Sequence, residues 1–324
     1  MASGDTETHC NLTAQTLVAA ILPPVLIVEL LVGLPGNLMA LWVFCHHLRS
    51  WRPNVVFLFN LAVSDFLLLV SLPFRIHYNL RSENWVFGNA WCRINLFMLA
   101  VNRSASIGFM TAVAVNRYFK VVHPHHEINF ISSLKVAGIA CFIWTVVISL
   151  RLPLLTNDLL NKKNNITFCR SFNNYSVLPK GILVHYVVYL SEFFLSLMVL
   201  LFCSLRIYCI LRQHQTEKKK KFAQAIRIVL VIVGIFILCF FPGVATGVNV
   251  LYLTSLRKEC EVIELSSQLF VLALGFTYLN SVLDPVIYGF CSSMFRDALK
   301  RSAYRLVGLK LTPSRRATNT EREG

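Results

Sequence analysis

Seven long apolar runs, at about 17–45, 55–80, 91–122, 136–155, 182–211, 222–253 and 264–290, divide this chain. A helix needs about 20 mostly apolar residues to cross a bilayer, and each run is of that order or longer. Spanning segments must satisfy their own backbone groups. Helices of this length do so, whereas transmembrane strands would be only about 9–11 residues. The third run carries an arginine, Arg103, in its middle. A charge at that depth is costly and faces a bundle interior, a partner or water, so it marks a functional site. The expected fold is an all-α membrane protein, a seven-transmembrane helix bundle with a short amphipathic eighth helix. An extracellular tail (1–16) precedes the bundle (17–290). The amphipathic region (291–311) and a cytoplasmic tail (312–324) follow it.

Composition agrees: 56% of the 324 residues are hydrophobic and 15% charged, against about 25% charged in soluble domains. The net charge of +15 invites a nucleic-acid reading, but its distribution argues against one. Most of the 31 Lys and Arg gather on one set of ends: Arg49, Arg52, Arg117, Lys120, Lys135, Arg206, Arg212, Lys218 to Lys221, Arg227 and the tail from Arg296. Cytoplasmic loops carry this excess. No Lys or Arg precedes Arg49, which puts the N-terminus outside and the C-terminus inside. The basic face then meets anionic inner-leaflet lipid and a cytosolic partner. Residues 294–306 alternate basic residues with Phe295, Leu299, Tyr304 and Leu306, which suits a helix lying on the inner membrane face. Residues 1–16 lack the basic start of a signal peptide, so the first span is expected to serve as its own anchor.

Sequons at Asn11, Asn165 and Asn174 fall on the expected outside; a fourth match at Asn102 lies within a span and is set aside. Of ten cysteines, Cys10, Cys92, Cys169 and Cys260 lie on the outer side, where disulfides persist. A Cys92–Cys169 bridge would pin the long outer loop over the bundle mouth and leave Cys10 for Cys260. Other pairings stay open from sequence alone.

Arg75, Arg103 and Arg151 lie in the outer parts of the second, third and fourth spans. Guanidinium makes a two-pronged bond to carboxylate and stays charged when partly buried. Against that stands pairing with an internal acid, Glu192 or Glu29, or snorkelling to the interface, most readily for Arg151. Leu99, Phe193, Phe194, Phe240, Phe276 and Tyr278 supply an apolar, aromatic lining of the kind that surrounds a few polar anchors in a ligand pocket. His185 and the loop residues Ser171 and Phe172 are further candidates. Asp65, Asn102, Ser106, Asn280, Ser281 and Asp284 form a second intramembrane polar set. Two carboxylates with amide and hydroxyl oxygens suit a small hard cation. The alternative is a hydrated hydrogen-bond network without an ion. No other metal or cofactor is expected. Pro242 and Pro285 can act as hinges or as static bends.

Several stretches carry a family resemblance: Gly36-Asn37, Leu61-Ala62-Val63-Ser64-Asp65, Asn116-Arg117-Tyr118, Trp144, Cys239-Phe240-Phe241-Pro242 and Asp284-Pro285-Val286-Ile287-Tyr288. In this order and span placement the chain resembles a rhodopsin-like (class A) G-protein-coupled receptor. The stretches 56–63, 96–100, 117–126, 192–195 and 276–285 are similar to the hydroxycarboxylic acid and oxoeicosanoid receptor group. Arg103 matches the arginine with which hydroxycarboxylic acid receptors take the ligand carboxylate. Their second arginine, in the sixth span, corresponds to Gly247 here. Glycine at that position, an Asn-Arg-Tyr triplet and an arginine at Arg75 are features of the oxoeicosanoid branch, toward which the reading leans.

The resemblance implies a plasma-membrane receptor, not an enzyme. Its expected ligand is an anionic lipid, an oxidised polyunsaturated fatty acid, or alternatively a small hydroxycarboxylic acid. Its expected partners are a heterotrimeric G protein of the inhibitory class, which lowers cyclic AMP, and arrestin; nucleic acid is not among them. The resemblance assigns a sodium ion to the second polar set. It assigns coupling and switching to Asn116, Arg117, Tyr118, Phe240, Pro242 and Tyr288. Departures from the family pattern are Asn116 in place of an acid, Phe240 in place of tryptophan and Ser196 in place of proline. The neutral Asn116 cannot form the usual ion pair with Arg117, so higher basal activity is expected. An anion transporter is a remote alternative, for intramembrane arginines also line transport paths. The chain lacks the internal repeat common in transporters. A hydrolase would need a nucleophile and base at one depth, and the histidines are mostly loop residues.

Overall fold

A computed structural model describes residues 16–46, 53–163, 165–170, 180–213, 219–256, 259–291 and 295–297. Eight helices are present among them: α1 (Thr16–His46), α2 (Pro53–Leu80), α3 (Gly88–Val122), α4 (Ser133–Arg151), the single turn α5 (Pro153–Thr156), α6 (Lys180–Gln213), α7 (Lys219–Ser255) and α8 (Cys260–Cys291). A 3-10 turn (Glu127–Phe130) precedes α4, and two strands, β1 (Leu160–Lys163) and β2 (Ile166–Cys169), follow α5. Seven segments are long and apolar enough to cross a membrane, with α4 and α5 forming one of them. The expected runs lie inside these helices.

Local chemistry explains the ends. Ser132 caps α4 by accepting from the Lys135 amide. Pro153 takes the first position of α5, where its missing N–H is harmless, and it stops α4 at Arg151. The span 133–156 is thus interrupted at its proline, which is where a missing backbone donor bends a helix.

α3 is the axis of the bundle and packs against α2, α4, α6 and α7. Its length shows in its burial, which continues from Cys92 to Asn116. The outer helices turn residues such as Val28, Leu31, Phe142 and Met198 outward, as a lipid-facing surface requires. Inside, one apolar cluster joins Phe44, Leu58, Met110, Phe236 and Tyr288. A second, above it along the bundle, joins Leu26, Leu72, Leu96 and Leu99 to Trp85 and Cys169. Polar bridges between helices include Trp144 Nε1 donating to Asn60 Oδ1 at 2.8 Å.

The long loop after the fourth span contains an antiparallel hairpin, with Leu160 opposite Cys169 and Lys163 opposite Ile166. Sequence reading saw only loop there, because two four-residue strands are too short to display a period. Asn165, exposed and at φ 62°, stands at the turn, a conformation asparagine tolerates. Cys169 is bridged to Cys92 at the start of α3, and the Trp85 amide donates to Thr167 O at 2.8 Å. Together these fix the hairpin across the bundle. Cys260 is also disulfide-bonded. Cys10, its expected partner, lies outside the described residues, as do Asn11 and Asn174. Of the expected amphipathic helix, 295–297 are described and helical, and Phe295 is buried against Phe44 and Tyr288.

Trp144→Phe keeps the ring but removes the donor to Asn60. Interhelical hydrogen bonds in membranes contribute about 0.6 kcal/mol on average and up to about 1.7. A lowered melting temperature of the purified protein in nanodiscs is expected. An unchanged one would show that the bond contributes nothing.

Candidate functional site

A cavity opens between α1, α2, α3, α6 and α8 beneath the hairpin. Arg75, Leu99, Arg103, His185 and Tyr278 of the expected set line it. So do Asn79, Glu83 and Arg170, which sequence reading missed; Arg170 directly follows the bridged Cys169, and that adjacency was the available signal. The space water could occupy is about 60 Å³.

Three guanidinium groups therefore face one cavity, but in different states. Arg170 pairs with Glu83, and its guanidinium also lies 4.8 Å from the Phe168 ring. Arg75 donates Nη1 to the Cys169 carbonyl at 3.0 Å and lies 4.9 Å from the Tyr78 ring. Arg103, only 7% exposed, lies 4.4 Å from the Tyr189 ring. Its Nε and Nη2 have no hydrogen-bond partner among the described residues. A cation over a ring face gains electrostatically, yet those N–H groups still lack acceptors. Gly243 makes this stacking possible, because a Cβ there would stand 2.6 Å from the Tyr189 hydroxyl.

Arg151 is not brought to the cavity lining. It is fully buried, with Nη2 on Glu192 and Nε on Ser104 Oγ at 2.9 Å. Its Nη1 meets His185 Nδ1 at 3.0 Å. Arginine only donates, so that ring nitrogen accepts. Of the two acids named as rivals for Arg103, Glu192 is thus taken by Arg151. Glu29 lines a separate apolar groove with Pro24, Val28, Phe276 and Leu279, and its buried oxygens have no hydrogen-bond partner among the described residues. Phe276 belongs to that groove and is 48% exposed, while Phe193 stacks on Phe236 in the core, so neither faces the arginines. Phe240 also packs on Phe236, and Phe194 is exposed. Gly247 has Phe270 where a side chain would go. Ser171 and Phe172 lie outside the described residues.

Deeper in the bundle the second polar set is assembled. Asn102 Nδ2 donates to Ser64 O at 2.9 Å and to Ser281 Oγ at 3.4 Å, and Ser106 Oγ meets Ser64 Oγ at 3.2 Å. Asn280 donates to Asp284 Oδ2 at 3.0 Å. Tyr288, named in the coupling and switching set, donates to Asp65 Oδ2 at 2.9 Å. One oxygen each of Asp65, Asp284 and Asn280 is buried without a hydrogen-bond partner among the described residues. Buried acceptor oxygens on two acids and an amide fit a small hard cation, which Asp65 and Asp284 would hold.

At the far end of α3, Asn116 is hydrogen-bonded to Asn54 of α2, and the Arg117 guanidinium lies against the same amide. Arg117 Nη2 also donates to the Cys291 carbonyl at 3.0 Å. Tyr118 OH meets His123 Nε2 at 3.1 Å. In α7 the Pro242 carbonyl accepts from Thr246 Oγ1 at 2.7 Å.

A cation held between Asp65 and Asp284 would stabilise the folded bundle by an amount that rises with the logarithm of its concentration above its dissociation constant. Replacing choline chloride by sodium chloride is expected to raise the melting temperature of the wild type and not of Asp65→Asn. Equal responses in the two proteins would remove the cation from this set.

The chain matches the sequence model of the 7 transmembrane receptor (rhodopsin family) over residues 36–288. It is 41% identical over 321 residues to Hydroxycarboxylic acid receptor 3 of Homo sapiens, covering 98% of this chain and 82% of that protein. Identity is 40% over 287 residues to Hydroxycarboxylic acid receptor 1 of Homo sapiens, covering 88% and 81%. It is 39% over 292 residues to Oxoeicosanoid receptor 1 of Homo sapiens, covering 90% and 74%. These values are close together and do not separate the branches. The chain is a receptor rather than an enzyme, and it belongs to the rhodopsin family of seven-transmembrane receptors, in the group of the hydroxycarboxylic acid and oxoeicosanoid receptors.

Proposed function

We propose that this protein is a plasma-membrane receptor for an extracellular carboxylate, anchored on Arg103, and that it signals through an inhibitory-class G protein to lower cyclic AMP. The observation that carries the reading is the unmet donor capacity of Arg103. Arg75 and Arg170 line the same cavity but already meet Cys169 O and Glu83, whereas two Arg103 nitrogens lack acceptors among the described residues. A carboxylate supplies two acceptor oxygens in a matching geometry, and Tyr278, which carries a hydroxyl donor, lines the same cavity.

The size of the cavity supports a short tail: space of about 60 Å³ for water suits a small hydroxycarboxylic acid better than a long chain. The similarity to hydroxycarboxylic acid receptors at 40–41% identity supports that ligand class. The second reading, an oxidised long-chain fatty acid, is favoured by the apolar wall of Leu22, Leu26, Val271 and Leu274, which such a tail would have to part. With the N-terminus outside, Asn165 at the hairpin turn is placed for glycosylation. Binding is coupled to the cytoplasmic side only as far as the ligand prefers one bundle packing over another. On that side the basic loops meet the G protein and, after activation, arrestin.

A panel of acids of graded chain length, assayed by cyclic AMP at fixed pH with and without pertussis toxin, tests ligand and partner together. Arg103→Gln is expected to abolish the response while surface expression persists. An unchanged dose–response curve in that variant removes the binding reading, and ligand uptake into sealed vesicles would favour a transporter.

The inner end bears on basal activity. Arg117 lacks an acid at position 116, but the Asn54 amide and the Cys291 carbonyl hold it. Such neutral contacts restrain a guanidinium less than an ion pair does. Asn54→Ala is expected to raise ligand-independent signalling and Asn116→Asp to lower it. Basal cyclic AMP equal to wild type in both variants would count against this restraint.

A further inference from the structure

We infer that Arg151 is a positioning residue: by holding Glu192, it keeps Arg103 available to a ligand carboxylate. The inference rests on the reading of Arg103 as anchor. Two guanidiniums and one carboxylate meet where α3, α4 and α6 cross, and only one of the two cations has the acid.

Glu192 is bound to Arg151 and is hydrogen-bonded by Ser104, the residue next to Arg103. Tyr189 and Glu192 are three residues apart on α6 and so share a face, with Cβ atoms about 5–6 Å apart. Arg103 lies over the Tyr189 ring at 4.4 Å. Ser104, the neighbour of Arg103 on α3, donates its hydroxyl to Glu192 Oε2 at 2.9 Å. The acid is thus within a side-chain swing of the anchor. Arg151 prevents the swing: Nη2 grips Glu192, Nε and Nη2 meet Ser104 Oγ at 2.9 and 2.6 Å, and Nη1 meets His185 at 3.0 Å. Ser104 then donates once and accepts from Arg151, which fixes its hydroxyl. Arg151 is fully buried and cannot leave for solvent, while Glu192 keeps 16% side-chain exposure. With Arg151 neutralised, the carboxylate faces Arg103, whose Nε and Nη2 lack acceptors among the described residues. An internal pair would form and the ligand would have to displace it.

The test uses purified full-length receptor in nanodiscs as wild type, Arg151→Met, Glu192→Gln, the double variant and Arg103→Gln. Binding of 3-hydroxybutyrate and 3-hydroxyoctanoate is measured, and ligand-free Arg151→Met is solved by cryo-electron microscopy. Arg151→Met is expected to weaken binding about tenfold or more, and the double variant to return within about threefold of wild type, since removing the acid removes the competitor. The ligand-free variant is expected to show Glu192 paired with Arg103. A double variant as weak as Arg151→Met, or Glu192 still apart from Arg103 in that structure, overturns the inference. The structural arm needs no ligand and decides alone if neither probe binds. Where Arg151→Met does not accumulate, Arg151→Gln, which is also uncharged, replaces it, and the same rescue by Glu192→Gln is required. Undiminished binding by Arg103→Gln would instead bring down the anchor reading itself.

Discussion

An ionised group inside hydrocarbon must find a partner within the protein, and this bundle is arranged around that demand. Desolvating a carboxylate and a guanidinium is costly, and the pair is tolerable only with close geometry and further hydrogen bonds. Arg151 and Glu192 meet both conditions through Ser104 and His185. Arg170 and Glu83 repeat the arrangement at the rim, under the hairpin. Against these satisfied pairs Arg103 stands out, with an aromatic face beneath it and two nitrogens lacking acceptors among the described residues. The surrounding charge pairing makes it chemically conspicuous, more than its own position does.

The same helix carries every polar layer. From Arg103, α3 passes to Asn102 and Ser106 beside the Asp65 set, then to Asn116 and Arg117 at its other end. α8 matches it, with Tyr278 at the cavity, Ser281 and Asp284 at the middle and the Cys291 carbonyl on Arg117. Tyr288 donates to Asp65, so the middle layer is tied to the last turn of α8. All three layers therefore lie along the boundary between α3 and α8. That adjacency is spatial; coupling in the energetic sense needs two packings that the ligand weighs differently.

Much of this was readable beforehand. The seven spans follow from apolar length, because a helix in lipid cannot leave backbone groups unpaired. Arg103 stands out in the sequence because its depth forbids an easy route to water. Asp65, Asn102, Ser281 and Asp284 were legible through their motif context. Other expectations failed for tertiary reasons. Phe193 and Phe276 were read as cavity lining, but helix rotation sends one to the core and the other to the membrane-facing groove. Phenylalanine spacing is the same in either orientation. Arg151 was read with the ligand arginines, although its burial and its pairing with an acid on another helix withdraw it. Arg170 and Glu83 lay in loops with no period to mark them.

Sequence alone determined the number of spans, their limits to within a turn or so, and the presence of cations and acids at given depths. These are properties of single segments, fixed by local hydrophobicity and by the bilayer's thickness. Which acid neutralises which arginine, and which guanidinium is left for a ligand, depends on distances across α3, α4 and α6. Such choices are made by packing between helices distant along the chain, and no periodicity within one helix records them.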